Sequence, residues 1–425
     1  MKATATTATT AFTRRRLLAA ALAAGAVVPL GPGRAAASPA LLTLPAPTGP
    51  HPVGVVSLRL VDEERQDREL MTSVWYPAAT VTRHHPPAPW LTPAPMRALL
   101  ADVGFDPDAV AAPLTAGREG APVAPGRWPV IVYSHGAGGH RSETTVIVQE
   151  LASHGYVVVT VDHTGDAFTE FPDGRLAVPG DEPFTPWHSA ADLRFLLDRI
   201  DDLAAGRRIR GLTTDHHLGG QPAGRMTGGL AADRQLGGLA VGRRAGQRLP
   251  AGQRLPAGLG RSLDPGRIGM FGWSKGATAT ALAMSTDRRV RAGLGLDGPM
   301  QSNPVFTGLD RPFMLMTADF TLAGSPSVAQ FWSRLHGWRL AVRACGVVHG
   351  SYCDHQMLLP QLATIIGLSD KDLRALVGTL TPERATRIQR SYPLAFFDLH
   401  LRNRRQRLLE GPSAAFPEVR FTGAA

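Results

Sequence analysis

Three residue types needed for acyl transfer occur in this chain in a usable order. Ser274 lies in "GMFGWSKGAT" (269–278), between Gly272 and Gly276, directly after a short run that reads as a buried strand. Downstream come Asp297 in "LGLDGPM", Asp319 in "PFMLMTAD" and His349 in "VVHGS". A serine hydroxyl is a weak nucleophile near neutral pH. It needs a histidine to take its proton, a carboxylate to orient that histidine, and donors for the oxyanion. A G-x-S-x-G turn supplies the first part: the serine is held exposed on a strained elbow while flanking glycines let strand and helix approach. The five-residue pattern also fits an ordinary glycine-rich turn, so its surroundings have to decide.

Those surroundings alternate short β-branched runs with helical stretches from about residue 50, the signature of an α/β fold with a mostly parallel sheet covered on both faces. "VGVVSLRLV" and "LMTSVWYP" read as an opening pair of strands; "WPVIVYS" and "YVVVTVD" read as the next two. "ETTVIVQELASHG" is helix-like, and Pro186 to Leu203 carries Ala190, Leu193, Leu196, Leu197 and Ile200 near the spacing of one apolar face. "GRIGMFG", "VRAGLGLD", "PFMLMTAD" and "WRLAVRACGVVHG" continue the alternation, and Ser274, Asp297, Asp319 and His349 follow these runs. In open parallel sheets the site lies beyond the carboxyl ends of the strands, so one crevice can hold all four.

The order Ser, Asp, His matches α/β-hydrolases and differs from the two large serine-protease orders. His355 competes with His349 but falls at the start of a predicted helix. Position leaves Asp297 and Asp319 both open as the carboxylate. "SHGAGG" (134–139) resembles the H-G-G-type loop of esterases, which makes the backbone N–H groups of Ala137 and Lys275 the candidate oxyanion donors. His135 is expected to shape that loop without touching substrate.

Composition limits the classes. The 425 residues are 44% hydrophobic and 19% charged, enough for a large core. Of 45 basic residues, five (Lys2, Arg14, Arg15, Arg16 and Arg34) precede residue 38 in an acid-free leader, leaving 40 against 35 acidic ones. No basic run interleaved with aromatics occurs, which argues against nucleic-acid binding. The leader pairs "TRRRLL" with a mild apolar run of roughly fourteen residues, short of the about 20 that a span needs. Residues 1–37 are therefore expected to be a twin-arginine-type export signal, cleaved near Ala37, with no stable transmembrane anchor. The remaining 38–425 reads as one α/β domain, interrupted at about 204–263 by a low-complexity Gly/Arg/Leu-rich insertion in which "GQRLPA" occurs twice. The two cysteines, Cys345 and Cys353, fit either one short-loop disulfide or two free thiols, and are not read as metal ligands.

Several segments together resemble the platelet-activating-factor acetylhydrolase-like branch of the α/β-hydrolases, in particular exported bacterial members. They include "GPHPVGVVSLRLVDEERQDRELMTSVWYP", "PVIVYSHGAGGHRSETTVIVQELASHGYVVVTVDHTGDAFTEFPDGR", "RIGMFGWSKGATATALAM" and "AGLGLDG", with "AFFDLHLRNRRQRLLEGPSAAFPEVRF" near the end. The resemblance implies a secreted serine esterase without metal or cofactor. Its substrates would be small short-acyl esters, including acetyl or oxidised phospholipids met at a lipid surface. It also places the acid on the strand after the nucleophile helix, favouring Asp297. A lipase, a polyester hydrolase, a general carboxylesterase, or a non-catalytic binding homologue are the other readings.

The chain departs from the family pattern on both sides of the serine, where Trp273 replaces a common histidine and Lys275 a common bulky apolar residue. A lysine at a helix amino terminus opposes the dipole by roughly 0.3–1 kcal/mol. Its ammonium is expected to reach solvent on its long stem, with an anionic substrate headgroup as the alternative. Phe168, Phe171, Phe184 and Trp187 are expected either to line an acyl site or to pack their loop.

Overall fold

The computed structural model describes residues 40–79, 84–207, 209, 213–215, 255–301 and 308–424. The leader expected to direct export and most of the low-complexity insertion lie outside these residues.

The expected opening strands are β1 (Val53–Asp62) and β2 (Arg68–Pro77), paired antiparallel. They are followed by β3 (Leu114–Glu119), β4 (Trp128–Ser134), β5 (Val157–Asp162) and β6 (Leu263–Trp273). β7 (Val290–Leu296), β8 (Phe313–Thr317), β9 (Arg339–Ala344) and β10 (Val419–Ala424) complete the main strands. In space the order runs β10, β9, β8, β7, β6, β4, β5, β2, β1, β3. From β9 to β5 every pairing is parallel, whereas β10 and β2 flank that block antiparallel. The sheet is thus the mostly parallel α/β-hydrolase sheet expected from the sequence.

The central strands show why runs such as "VIVY" are continuously apolar. Val130 and Val132 point to one face and Ile131 and Tyr133 to the other, and all four are fully buried. On the first face lie the helices Pro186–Ala204 and Lys275–Thr286, with Leu193, Leu197 and Ala279 packed over Val130 and Met270. The opposite face is covered by Thr145–Ser153 and the long helix Pro382–Arg402, through Val148, Leu151, Phe396 and Phe397. A smaller apolar cluster unites helices Pro93–Asp102 and His355–Ile366, including Met96, Leu100, Leu358 and Leu362.

This topology determines where a site can form. The chain leaves β4, adds β5 on one side, and then returns to place β6 on the other side of β4. The direction of winding reverses between β4 and β6, and a crevice opens there beyond the strand ends. Ser134 ends β4 and Ser274 follows β6. Among the described residues no helix is long and apolar enough to cross a membrane.

Candidate active site

Ser274 occupies the turn between β6 and the helix Lys275–Thr286, with φ 57° and ψ −122°. That conformation is costly for a residue with a Cβ and persists only where its surroundings enforce it. The two glycines are what permit it. A Cβ on Gly272 would lie 2.1 Å from the Gly276 carbonyl oxygen, and one on Gly276 would lie 2.1 Å from that of Ser134. The serine backbone is also held from β7, because its N–H donates to Leu296 O at 2.9 Å.

Asp297 follows β7 with φ 41°, another strained residue. Its Oδ1 accepts the N–H groups of Ala318 at 2.6 Å and Phe320 at 2.9 Å, and its Oδ2 lies 2.6 Å from His349 Nδ1. The carboxylate is almost fully buried, so these three partners restrict it to one orientation. Asp319, left open by position alone, lies exposed at the rim. Desolvation, followed by the neighbouring Asp297 charge, pushes its carboxyl above the usual range.

His349 is held by more than its acid. Its ring stacks on Trp273 with centroids 4.6 Å apart, and Trp273 Nε1 donates to the His349 carbonyl at 3.1 Å. The residue before the serine thereby carries the histidine, a role with no signal in the sequence because 76 positions separate the two. His349 and Ser274 are not hydrogen-bonded to each other; in substrate-free hydrolases that contact often tightens only in the complex. His355, the rival histidine, begins its helix as expected and meets the Trp273 ring edge-on at 6.1 Å.

The proposed oxyanion loop reaches the elbow. A Cβ on Gly136 would fall 3.2 Å from Ser274 Cβ and 2.6 Å from the Trp273 ring, so only glycine allows this approach. The N–H of Lys275, at the first helical position, has no intrahelical acceptor, and that of Ala137 donates to no backbone group of the described residues. His135 is wholly buried, with Nδ1 donating to Gly136 O and Nε2 accepting the His163 N–H, so it shapes the loop as expected. Burial, reinforced by His163, holds its imidazole well below its ordinary pKa.

The expectation for Lys275 is overturned. Its side chain turns inward, is 9% exposed, and bonds to Asp166 and to the Phe184 carbonyl at 3.1 Å. An acceptor within reach of the stem outweighs hydration. Desolvation lowers the ammonium pKa, and Asp166 opposes that shift. Phe184 packs 4.9 Å above the same ammonium, Phe168 and Phe171 are buried, and Trp187 is 40% exposed. The loop aromatics therefore mostly pack. No disulfide joins Cys345 and Cys353.

A second serine–histidine–aspartate set lies beneath the site. The Ser134 hydroxyl is 2.9 Å from His163 Nε2, and His163 Nδ1 is 2.9 Å from Asp192 Oδ2. Asp192 also accepts from Arg68 at 2.8 Å and Arg65 at 2.7 Å. All three members of the set are completely buried, so no substrate reaches Ser134. It is structural, bracing the end of β4 against the helix Pro186–Ala204.

Beside His349 and Trp273 opens an apolar cavity of about 170 Å³ between helices Pro93–Asp102 and His355–Ile366, walled by Leu99, Leu100, Phe105 and Leu359. Trp90 in its wall donates to the buried Asp354 at 2.8 Å. Asp354 in turn caps the helix Thr145–Ser153 through the N–H groups of Thr145 and Val146, which anchors the segment following His349. Among the described residues no three His, Cys, Asp or Glu side chains gather as metal ligands.

Comparison with known proteins finds similarity to esterases. A family model described as platelet-activating factor acetylhydrolase, isoform II, matches residues 36–170. The chain is 25% identical over 308 residues to a probable 1-alkyl-2-acetylglycerophosphocholine esterase of Arthroderma benhamiae, covering 69% of this chain and 66% of that protein. It is 23% identical over 281 residues to the platelet-activating factor acetylhydrolase of Cavia porcellus, covering 65% of this chain and 58% of that one. The chain thus spans less than two thirds of the length of the curated relatives it matches, 66% of one and 58% of the other. A solved ferulic acid esterase from Streptomyces cinnamoneus superposes with a TM-score of 0.67 at 28% identity, over 90% of this chain and all of the other. Together with the elbow and the sheet order, these matches show an α/β-hydrolase fold, and over the matched residues the chain is similar to the platelet-activating factor acetylhydrolase family.

Proposed function

We propose that this protein is an exported carboxylic-ester hydrolase acting through an acyl-enzyme, with Ser274 as nucleophile, His349 as base and Asp297 as its orienting acid. The carrying observation is the Asp297–His349 contact of 2.6 Å, held beside the strained Ser274 elbow. With Asp297 Oδ1 saturated by two backbone donors, Oδ2 fixes the proton on His349 Nδ1 and leaves Nε2 as the basic atom. Ser274 Oγ attacks the ester carbonyl as its proton passes to Nε2, and the charge on the carbonyl oxygen meets the Ala137 and Lys275 N–H groups. Collapse expels the alcohol, which takes the proton from Nε2. Water then gives a proton to Nε2 and attacks the acyl carbon, releasing the acid and restoring Ser274.

The substrate proposed is a small ester with a short acyl group, acetyl phospholipids included. The apolar cavity against His349 favours a substrate with an apolar portion, and its modest volume favours a limited one. The test is hydrolysis of acetyl, butyryl and long-chain nitrophenyl esters and of a short-chain phospholipid by the full chain and by Ser274→Ala. Short-acyl activity lost on substitution is expected. Long-chain preference would make the protein a lipase, and no turnover of any ester would leave a binding protein. Export is tested separately, by whether replacing Arg14, Arg15 and Arg16 with lysines retains the protein in the producing cell.

A further inference from the structure

A single carboxylate bridges the two segments assigned to the oxyanion site. Asp166 Oδ1 accepts the Gly138 N–H at 3.1 Å, directly after Ala137, while Oδ2 bonds the Lys275 ammonium. Ala137 and Lys275 are the two residues whose N–H groups would receive the oxyanion. They come from loops 138 positions apart that follow neighbouring strands; the ladder between those strands ends at Ser134 and Gly272, and beyond it no backbone–backbone hydrogen bond joins the two loops among the described residues. Asp166 is 7% exposed, and its own N–H is held by His163 O at 2.8 Å, in the turn that follows β5. The same turn meets the oxyanion loop again: Phe168 N donates to Gly139 O at 3.1 Å.

We propose that Asp166 is a positioning residue that sets the spacing of the Ala137 and Lys275 amides, with the Lys275 side chain as its tether. This rests on the serine-esterase reading above. It also gives the unusual residue after the nucleophile a purpose other than headgroup recognition, since the ammonium is already occupied by Asp166 and by Phe184 O. The physical basis is that oxyanion donors act only when aimed in advance at the developing charge. A displacement of about 1 Å at such a site typically costs about a hundredfold in rate.

The experiment compares the full chain with Asp166→Asn, Lys275→Met and the double variant, on nitrophenyl acetate. Asp166→Asn can still accept the Gly138 N–H but cannot pair with an ammonium. It is expected to lower kcat by about 10- to 100-fold while KM changes by less than about threefold. Affinity for a trifluoromethyl ketone, which forms the tetrahedral adduct, should fall by the same factor as kcat/KM. The double variant should be no slower than the slower single variant, because both remove one contact. A kcat within about twofold of the parent in Asp166→Asn, whatever its unfolding midpoint, would overturn the positioning role. If that variant does not fold, Lys275→Met, close in volume, is read in the same way. The parent protein separates this proposal from the reading it rests on: an unsubstituted chain that neither turns over the ester nor is labelled at Ser274 by a fluorophosphonate removes both, whereas a normal parent with a normal Asp166→Asn removes only the positioning role.

Discussion

His349 is gripped from two sides: Asp297 Oδ2 approaches its Nδ1 at 2.6 Å, and the Trp273 ring lies stacked against it 4.6 Å away. The acid fixes which nitrogen is protonated, and the indole fixes where the ring can lie. Asp297→Asn should therefore lower kcat/KM by about 10³- to 10⁴-fold, by favouring the wrong tautomer. Asp319→Asn, at the exposed rim, should change it by less than about tenfold. Steady-state kinetics of the two variants check this, and the reverse ranking would make Asp319 the acid.

The two serine–histidine–aspartate sets predict a sharp difference in reactivity. A fluorophosphonate should modify one serine per chain, at Ser274, because Ser134 and its partners are wholly buried. Peptide mapping after labelling checks this. Ser134→Ala should remain labelled at Ser274 but lose about 1–3 kcal/mol of stability, since His163 Nε2 is left without its hydroxyl.

Asp192 supplies a pH dependence. Burial raises its pKa, but the Arg68 guanidinium and His163 outweigh burial and hold it well below the usual carboxylate range. A group depressed in the fold stabilises above its unfolded pKa, about 3.9, and that contribution is lost as pH falls towards the folded value. Asp192→Asn should thus cost about 3–5 kcal/mol at neutral pH, by depriving Arg68 and His163 of their carboxylate, whereas Arg65 keeps Asp62. The deficit against the parent should shrink below about pH 4. Denaturant unfolding of both proteins from pH 3 to 7 reads both effects; a deficit that stays constant with pH would show that Asp192 acts through packing alone.

Gly276→Ala places a Cβ 2.1 Å from the Ser134 carbonyl oxygen, and this neighbour is backbone, which cannot rotate away. The helix Lys275–Thr286 must then shift off β4, at a cost of about 1–3 kcal/mol or more. Activity should fall further than stability accounts for, since Ser274 moves with that helix. The thermal midpoint together with kcat of the folded fraction checks this.

Much of the frame was legible from the order of residues. Buried parallel strands announce themselves as β-branched runs, and a nucleophile elbow needs glycines at two fixed offsets, so β4 to β9, Ser274, Gly272 and Gly276 follow from local pattern. His349 could be anticipated because a crevice in such a sheet forms at strand ends. Position could not choose between Asp297 and Asp319, and only the family resemblance favoured Asp297, because both end strands and which carboxylate meets the imidazole depends on backbone donors 21 and 23 positions away.

The inward turn of Lys275 likewise belonged to tertiary structure alone. Its acceptor Asp166 is 109 positions distant, and whether a lysine reaches solvent or a buried carboxylate is decided by what the fold places within the length of its stem. Sequence by itself determined the sheet, the elbow and the chemistry available, since these arise from local periodicity and steric need. The acid that orients the base, the indole that carries it and the carboxylate joining the two oxyanion loops were decided only when distant strands closed on one another, because hydrogen bonds depend on distance in space and not along the chain.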